Sequence, residues 1–197
     1  VMSGTQDVII SGGVEAMSTV EIGSNIRDGL PNGRGIPKGE RLELQYPGIQ
    51  FSQFDGAELL AEKYEITRAD LDAFGLLSHQ RAKAATDNGY FKEEVVPLNI
   101  KLEDDSVDVH LVDEGIRGAA TLEGMQSLKT LREGGVITAG TASQISDGSA
   151  AIMIANEMAV AKYNLPVRAK IHSLAVVGSD PVIMLEGPIP ATQKVLE

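Results

Sequence analysis

The chain has 197 residues, 43% of them hydrophobic and 4% aromatic, with 28 acidic against 17 basic side chains and a formal charge of −11. That acidity excludes a nucleic-acid reader, which needs a basic face, and the lack of any cysteine excludes disulfides, thiolate metal sites and a cysteine nucleophile within these residues. No apolar run approaches the roughly 20 residues of a membrane span, and the first residues lack the basic-then-apolar pattern of a signal peptide.

In chain order, Val8-Ile9-Ile10 predicts a short buried strand ending in a turn at Ser11-Gly12-Gly13. Gly and Pro interrupt residues 23–50 so often that regular structure is not expected there; so long an excursion is either an oligomer contact or disordered. A helix is predicted from Gly56 to Tyr64. A second follows Thr67-Arg68-Ala69-Asp70, which resembles a capping box with Asp in place of Glu. Leu71, Phe74, Ser78, Ala82 and Ala85 recur along it at helical spacing, and Asn88-Gly89 supplies the stop. Leu98, Ile100 and Leu102 alternate as a half-buried strand, and Leu122, Met125 and Leu128 form a short helix ended by Gly134-Gly135. Val136-Ile137, Ile152-Met153-Ile154 and residues 168–177 read as strands, with a short helix from Glu157 to Tyr163 ended by Asn164-Leu165-Pro166. The pattern is mixed α/β, a helical insertion between strand-bearing flanks. Val1 stands just before the first strand and residues 190–197 read as a helix beginning, so the sequence reads as a piece of a longer protein.

One segment stands out for chemistry. Thr138 to Ala151 is almost wholly Gly, Ala, Ser, Thr and Asp, and it leads into an apolar strand. Small residues let a backbone approach a ligand closely. His79, His110 and His172 lie far apart and read as structural, solvent-facing and packed respectively. The carboxylates Glu103, Asp104, Asp105 and Asp108 lack the central Gly and closing Glu of a calcium loop and read as a solvated loop. No metal site is expected. Arg117 admits two readings: a grip on a phosphate-bearing ligand, or a surface ion pair with Asp113 or Glu114. Composition alone favours the ion pair.

The same residues resemble the thiolase family of CoA-dependent acyltransferases. Ser11-Gly12-Gly13-Val14-Glu15-Ala16-Met17-Ser18 resembles its AGGxExMS segment, and Ala57-Glu58 with Ala61-Glu62-Lys63-Tyr64 its TAExxAxxY helix. Ser78-His79-Gln80-Arg81-Ala82 and Gly89 through Pro97 continue the match. Asp113-Glu114-Gly115-Ile116-Arg117 resembles DExxR, and the Thr138–Ala151 stretch resembles TAGNASxINDGAAA. Asp180-Pro181 and Gly187-Pro188-Ile189-Pro190-Ala191 resemble a DPxxMGxGPxPA segment. The blocks occur in order over nearly the whole chain.

The resemblance implies an incomplete thiolase-like α/β fold. Residues 1–15 would end the N-terminal half-domain, 16–145 form the α-rich loop domain that covers CoA and supports tetramers, 146–166 return to the first half, and 167–197 open the C-terminal half-domain. It implies a homodimer or homotetramer acting on acyl-CoA in fatty acid metabolism and β-oxidation, in the cytoplasm or, in a eukaryote, an organellar matrix. Family members work through a cysteine thioester, a histidine and a second cysteine. Those elements lie outside these residues, so none of the residues here is expected to be catalytic and the piece alone is expected to be inactive. The resemblance assigns Arg117, Ala139, Ser143, Ile145 and Met184 to coenzyme A: Arg117 near adenine and phosphates, Ser143 at the pantetheine amide, Ala139 and Ile145 along the same arm, and Met184 lining the pocket. Thr141 and Ser146 stand where the signature has Asn. Ser52-Gln53-Phe54 stands where many biosynthetic members have His-Met-Gly, which points to a bulkier substrate and a degradative branch. The competing expectation is a non-catalytic CoA-binding or scaffold subunit with a degenerate thiolase fold.

Overall fold

A computed structural model describes all residues from Val1 to Glu197. The elements run β1 (Val8–Glu15), α1 (Ser24–Gly29), α2 (Glu40–Gln45), α3 (Gln53–Lys63), α4 (Arg68–Asp87), β2 (Leu98–Lys101), β3 (Val107–His110), α5 (Leu122–Gln126), β4 (Gly148–Ala155), α6 (Glu157–Tyr163) and α7 (Pro188–Leu196). They divide into two units. A sheet unit comprises residues 1–50, 145–179 and 186–197, and a helical unit comprises residues 51–144 and 180–185.

The sheet unit is organised by one long-range ladder. β1 and β4 pair antiparallel from Val8↔Ala155 to Glu15↔Gly148. The predicted glycine turn is corrected: the strand runs straight through Ser11-Gly12-Gly13. Gly12 serves the ladder instead, because a Cβ there would sit 2.8 Å from the Ala150 carbonyl oxygen. The strand reading at Ile152-Met153-Ile154 holds, but burial does not. Ile10 is 71% exposed, Val14 80% and Ile152 62%. The Asp147 carboxylate ties the ends of the ribbon by accepting the Ser18 N–H at 2.8 Å and the Ser18 hydroxyl at 2.5 Å. Those two donors, the hydroxyl foremost, hold its pKa below the usual carboxylate range.

Two further expectations in this unit are corrected. Residues 168–177 form no strand, since no neighbouring backbone pairs with them; His172, expected to pack, is exposed there. Residues 23–50 are not structureless: α1 and α2 fall within them. Lys38 holds the second half together, donating 2.8 Å hydrogen bonds to the carbonyls of Tyr46 and Ile49. Glu157–Tyr163 is helical as predicted. Asn156 caps it by accepting the Ala159 N–H at 2.9 Å, and Asn164, at φ 49°, ends it in the left-handed region.

The helices of the helical unit follow their local signals, but the strand expected to be half-buried at Leu98, Ile100 and Leu102 is exposed and ends at Lys101. Ser52 caps α3. Thr67 and Asp70 form the capping box of α4, and Gly89, at φ +71°, follows its C-cap Asn88. Thr121 caps α5 by accepting the Gly124 N–H at 3.1 Å. The acidic stretch forms the β2–β3 hairpin, with Asp104 closing its turn on Ser106. Val136-Ile137 is not a strand. Only the single bridge Thr130↔Thr138 forms there, because the Glu58 carboxylate takes the Val136 and Ile137 N–H groups at 2.8 and 3.0 Å.

Packing between α4 and α5 rests on a buried ion pair and a wedge. Asp72 is 0% exposed, and Arg68 Nε lies 2.8 Å from both its oxygens. Arg68 Nη2 also donates to the carbonyls of Met125 and Leu128 at 2.9 and 3.0 Å, tying α4 to the end of α5 and the residues after it. The Met125 side chain fills the space left by two glycines: a Cβ on Gly75 or on Gly140 would lie 2.7 Å from its Cε. The wedge therefore seats the Gly140 backbone against α4.

Candidate functional site

The Thr138–Ser143 segment forms a turn closed by its own hydroxyls. The Thr138 carbonyl accepts the Thr141 and Ala142 N–H groups at 3.1 and 2.9 Å. The Thr138 hydroxyl accepts the Gly140 N–H at 3.2 Å, and the Thr141 hydroxyl accepts the Thr138 N–H at 3.1 Å. Thr138 is wholly buried. The Thr141 departure from Asn thus has a local use, because its short hydroxyl reaches the Thr138 backbone. With Thr138 and Thr141 engaged in the turn, Ala139 and Ser143 are left exposed. Their exposure leaves the backbone of Ala139 and the hydroxyl of Ser143 open to a ligand.

Arg117 lies in the loop between β3 and α5, and its backbone is fixed to α4 by donating its N–H to His79 Nδ1 at 3.2 Å. That bond gives His79 a structural role, as expected, and requires a lone pair on Nδ1. The ion pair with Asp113 or Glu114 does not form. Asp113 Oδ1 accepts the Gly115 N–H at 2.7 Å, and the Arg117 side chain extends into solvent. Gly118, next in the chain, packs on Lys83, whose Cδ would lie 2.5 Å from a Cβ at that position.

The structure brings the Arg117 loop and the Ser143 turn together through a contact the sequence does not reveal. Gln144 Nε2 donates to the Gly115 carbonyl at 2.8 Å. One residue, Ile116, separates Gly115 from Arg117, and Gln144 follows Ser143 directly. Met184 sits elsewhere in the same unit, against α3, where its Cγ would lie 3.3 Å from a Cβ on Gly56. Its φ is +44°, a left-handed conformation that costs a non-glycine residue about 1–2 kcal/mol. The strain is held by its N–H bond to the Asp180 carbonyl at 2.9 Å and by Asp180 Oδ1, which accepts the Val182 and Ile183 N–H groups. Ile145 belongs to the sheet unit and is 74% exposed.

A cleft of about 620 Å³ in the helical unit lies apart from the residues singled out by sequence. Asp55, Glu58, Glu62 and Glu133 line it against the single cation Arg132. Four carboxylates repel a phosphate-bearing ligand, so its chemistry does not fit coenzyme A.

Residues 1–158 match the family model of the thiolase N-terminal domain. Over 199 aligned residues the chain is 43% identical to a steroid 3-ketoacyl-CoA thiolase, FadA6, of Mycobacterium tuberculosis, covering 100% of this chain and 47% of that one. A 3-ketoacyl-CoA thiolase of Aliivibrio fischeri is 37% identical, again over 100% of this chain and 49% of the relative. Among solved structures, an acetyl-CoA acetyltransferase from Syntrophomonas wolfei superposes with a TM-score of 0.78 at 33% identity, covering 99% of this chain and 50% of the other. Human mitochondrial 3-ketoacyl-CoA thiolase gives 0.75 at 35% identity over 96% and 49%. The chain belongs to the thiolase family, and it spans about half the length of the curated relatives it matches.

Proposed function

We propose that this chain forms the CoA-binding portion of a thiolase, an acyltransferase that cleaves 3-ketoacyl-CoA with CoA or runs the reverse condensation with acetyl-CoA. Arg117 takes the adenine and phosphate end, the Ser143 hydroxyl bonds the pantetheine amide, Ala139 and Ile145 flank that arm, and Met184 lines the pocket. The observation that carries this reading is the self-closed Thr138–Ala142 turn, which leaves Ser143 open to solvent while Gln144 joins it to the Arg117 loop. Arg117, unpaired with its acidic neighbours, supplies the positive charge that a phosphate needs on so acidic a chain.

These residues contribute binding and orientation rather than bond-making. A donor at the pantetheine amide fixes where the thiol end of the cofactor points, which restricts the reacting carbons to productive geometries. The covalent step belongs to a cysteine, and these 197 residues contain none. The stretch by itself therefore performs no thiolysis.

The proposed layout places residues 1–15 and 146–166 in the N-terminal half-domain, 16–145 in the loop domain and 167–197 at the start of the C-terminal half-domain. The full-length β1–β4 ladder supports joining the first two pieces. The ordered α1–α2 segment fits an oligomer contact in a homodimer or homotetramer. At the acyl end, Ser52 is occupied as the α3 cap and Phe54 lies under Arg132, whose Cζ is 6.0 Å from the ring centroid. That apolar surface in place of His-Met-Gly supports a substrate bulkier than acetoacetyl-CoA and a degradative role in β-oxidation. No helix is long and apolar enough to cross a membrane. A cytoplasmic or matrix enzyme is consistent with that.

Calorimetry of the full-length gene product with CoA tests the site. Ser143→Ala and Arg117→Ala should each weaken binding, Arg117→Ala by about tenfold through loss of a charge-assisted contact worth about 1.5 kcal/mol. Unchanged affinity in both variants removes the assignment. Thiolysis rates with acetoacetyl-CoA against longer 3-ketoacyl-CoAs test the acyl end, and preference for acetoacetyl-CoA contradicts the degradative reading.

A further inference from the structure

We propose that Gln144 is a positioning residue that sets the spacing between the two ends of the CoA site, an inference that rests on the roles of Arg117 and Ser143 given above. Its amide donates to the Gly115 carbonyl at 2.8 Å. Gly115 is itself held by the Asp113 carboxylate at 2.7 Å, and the same loop is pinned to α4 by the Arg117 N–H on His79. On the other side, Thr138 to Ala142 close on themselves, and Met125 wedges Gly140 against α4. Each half of the site is therefore tied together within itself. The Gln144 amide is the hydrogen bond that links one half to the other.

Two features mark the contact as built. Gly115 gives the contact room, because a Cβ there would lie 2.7 Å from Gln144 Nε2 and 2.8 Å from its Oε1, and the amide would have to move. Gln144 also occupies the position that TAGNASxINDGAAA leaves unspecified.

The ligand explains why such a tie matters. Coenzyme A is adenosine 3′,5′-bisphosphate joined to a long 4′-phosphopantetheine arm, two ligands on one linker. The second end binds at a high effective concentration only when the two subsites keep a fixed separation. Pre-set spacing saves the ordering cost on binding. Removing the tie should leave each subsite intact and weaken only their joint action.

The test uses calorimetry on the full-length gene product with three probes: CoA, adenosine 3′,5′-bisphosphate and pantetheine. Gln144→Ala should weaken CoA roughly three- to tenfold, the range of one hydrogen bond, with each half-ligand changed less than about twofold and the unfolding temperature unmoved. Gly115→Ala, which evicts the Gln144 amide from the opposite side, should give the same loss. The double variant should lose no more than the worse single one. Equal losses on CoA and on one half-ligand would make Gln144 a direct contact and overturn the proposal, as would additive losses in the double variant. Should Ser143→Ala and Arg117→Ala weaken CoA while Gln144→Ala does not, the spacing role alone fails. Should none of the three matter, the binding site fails with it.

Discussion

The two units of this chain solve opposite problems. The helical unit satisfies itself: its helices carry their own caps, its one buried carboxylate has its guanidinium, and Gly75, Gly118, Gly135 and Gly140 are filled by neighbouring side chains. The sheet unit keeps a ladder of eight paired residues but leaves the apolar side chains of that ladder in solvent. The difference separates two meanings of an apolar strand. Hydrophobicity selected the strand in both readings, but only a partner surface turns a hydrophobic strand into a buried one.

The largest effect that can break this contrast lies at Asp72. Removing one partner of a buried ion pair leaves a charge without compensation, typically a cost of 3–5 kcal/mol. Arg68 keeps its three carbonyl acceptors, so Asp72→Ala should cost the helical unit about 3 kcal/mol in urea unfolding. A loss below 1 kcal/mol would mean that α5 is held by the Met125 wedge rather than by charge. Gly56→Ala follows. Its new Cβ would meet the Ile183 carbonyl oxygen at 2.6 Å, and backbone cannot swing away as a side chain does. Overpacking of this kind costs about 2 kcal/mol, and Met184 should shift with the Asp180–Leu185 segment. A crystal structure of the variant showing Met184 still at positive φ would separate the strain of Met184 from its contact with α3.

A smaller effect tests the local signals. Thr67→Ala removes the α4 cap and should cost about 1 kcal/mol. The same box makes a statement about pH. The Thr67 hydroxyl, and after it the Thr67 N–H, lower the Asp70 pKa in the folded chain. A carboxylate with a depressed folded pKa adds stability above its unfolded value of about 3.9 and loses it as pH falls through the folded value. Acid unfolding of Thr67→Ala should therefore show a weaker dependence on pH below about 4 than the parent chain. An unchanged acid limb would show that Asp70 is held by something other than the cap.

The contrast also explains what the sequence made legible. Capping residues act within four positions, so Thr67, Asn88-Gly89 and Asn164 announced helix ends that the structure reproduces. Segments whose fate depends on distant partners were misread. Val136-Ile137 has strand composition, but Glu58, far back on α3, takes its N–H groups. Gly12-Gly13 look like a turn until Ala150 and Ala151 arrive across the ladder. At the site, the small residues around Ser143 were visible as composition, whereas their tie to Arg117 through Gln144 was not, because no spacing rule links a glutamine to a carbonyl 29 residues earlier.

The smallest expected effect sharpens the comparison most. Ile152 lies mid-ladder opposite Ser11, 62% exposed, with no cross-strand apolar partner. Thr keeps the branched shape that suits a strand, so Ile152→Thr should change the stability of this chain by less than about 0.5 kcal/mol. Its association should respond far more. The β1–β4 ribbon has an unpaired edge on each strand and apolar side chains in solvent, which together template pairing with a second copy. Sedimentation velocity of the 197-residue chain should show concentration-dependent self-association, reduced in Ile152→Thr at equal unfolding midpoint. A parent chain that sediments as a single monomer at every concentration would mean that the exposed ribbon is tolerated without a partner. A variant destabilised by 2 kcal/mol or more would mean that Ile152 is packed within the chain after all, and the sheet unit would then resemble the helical one.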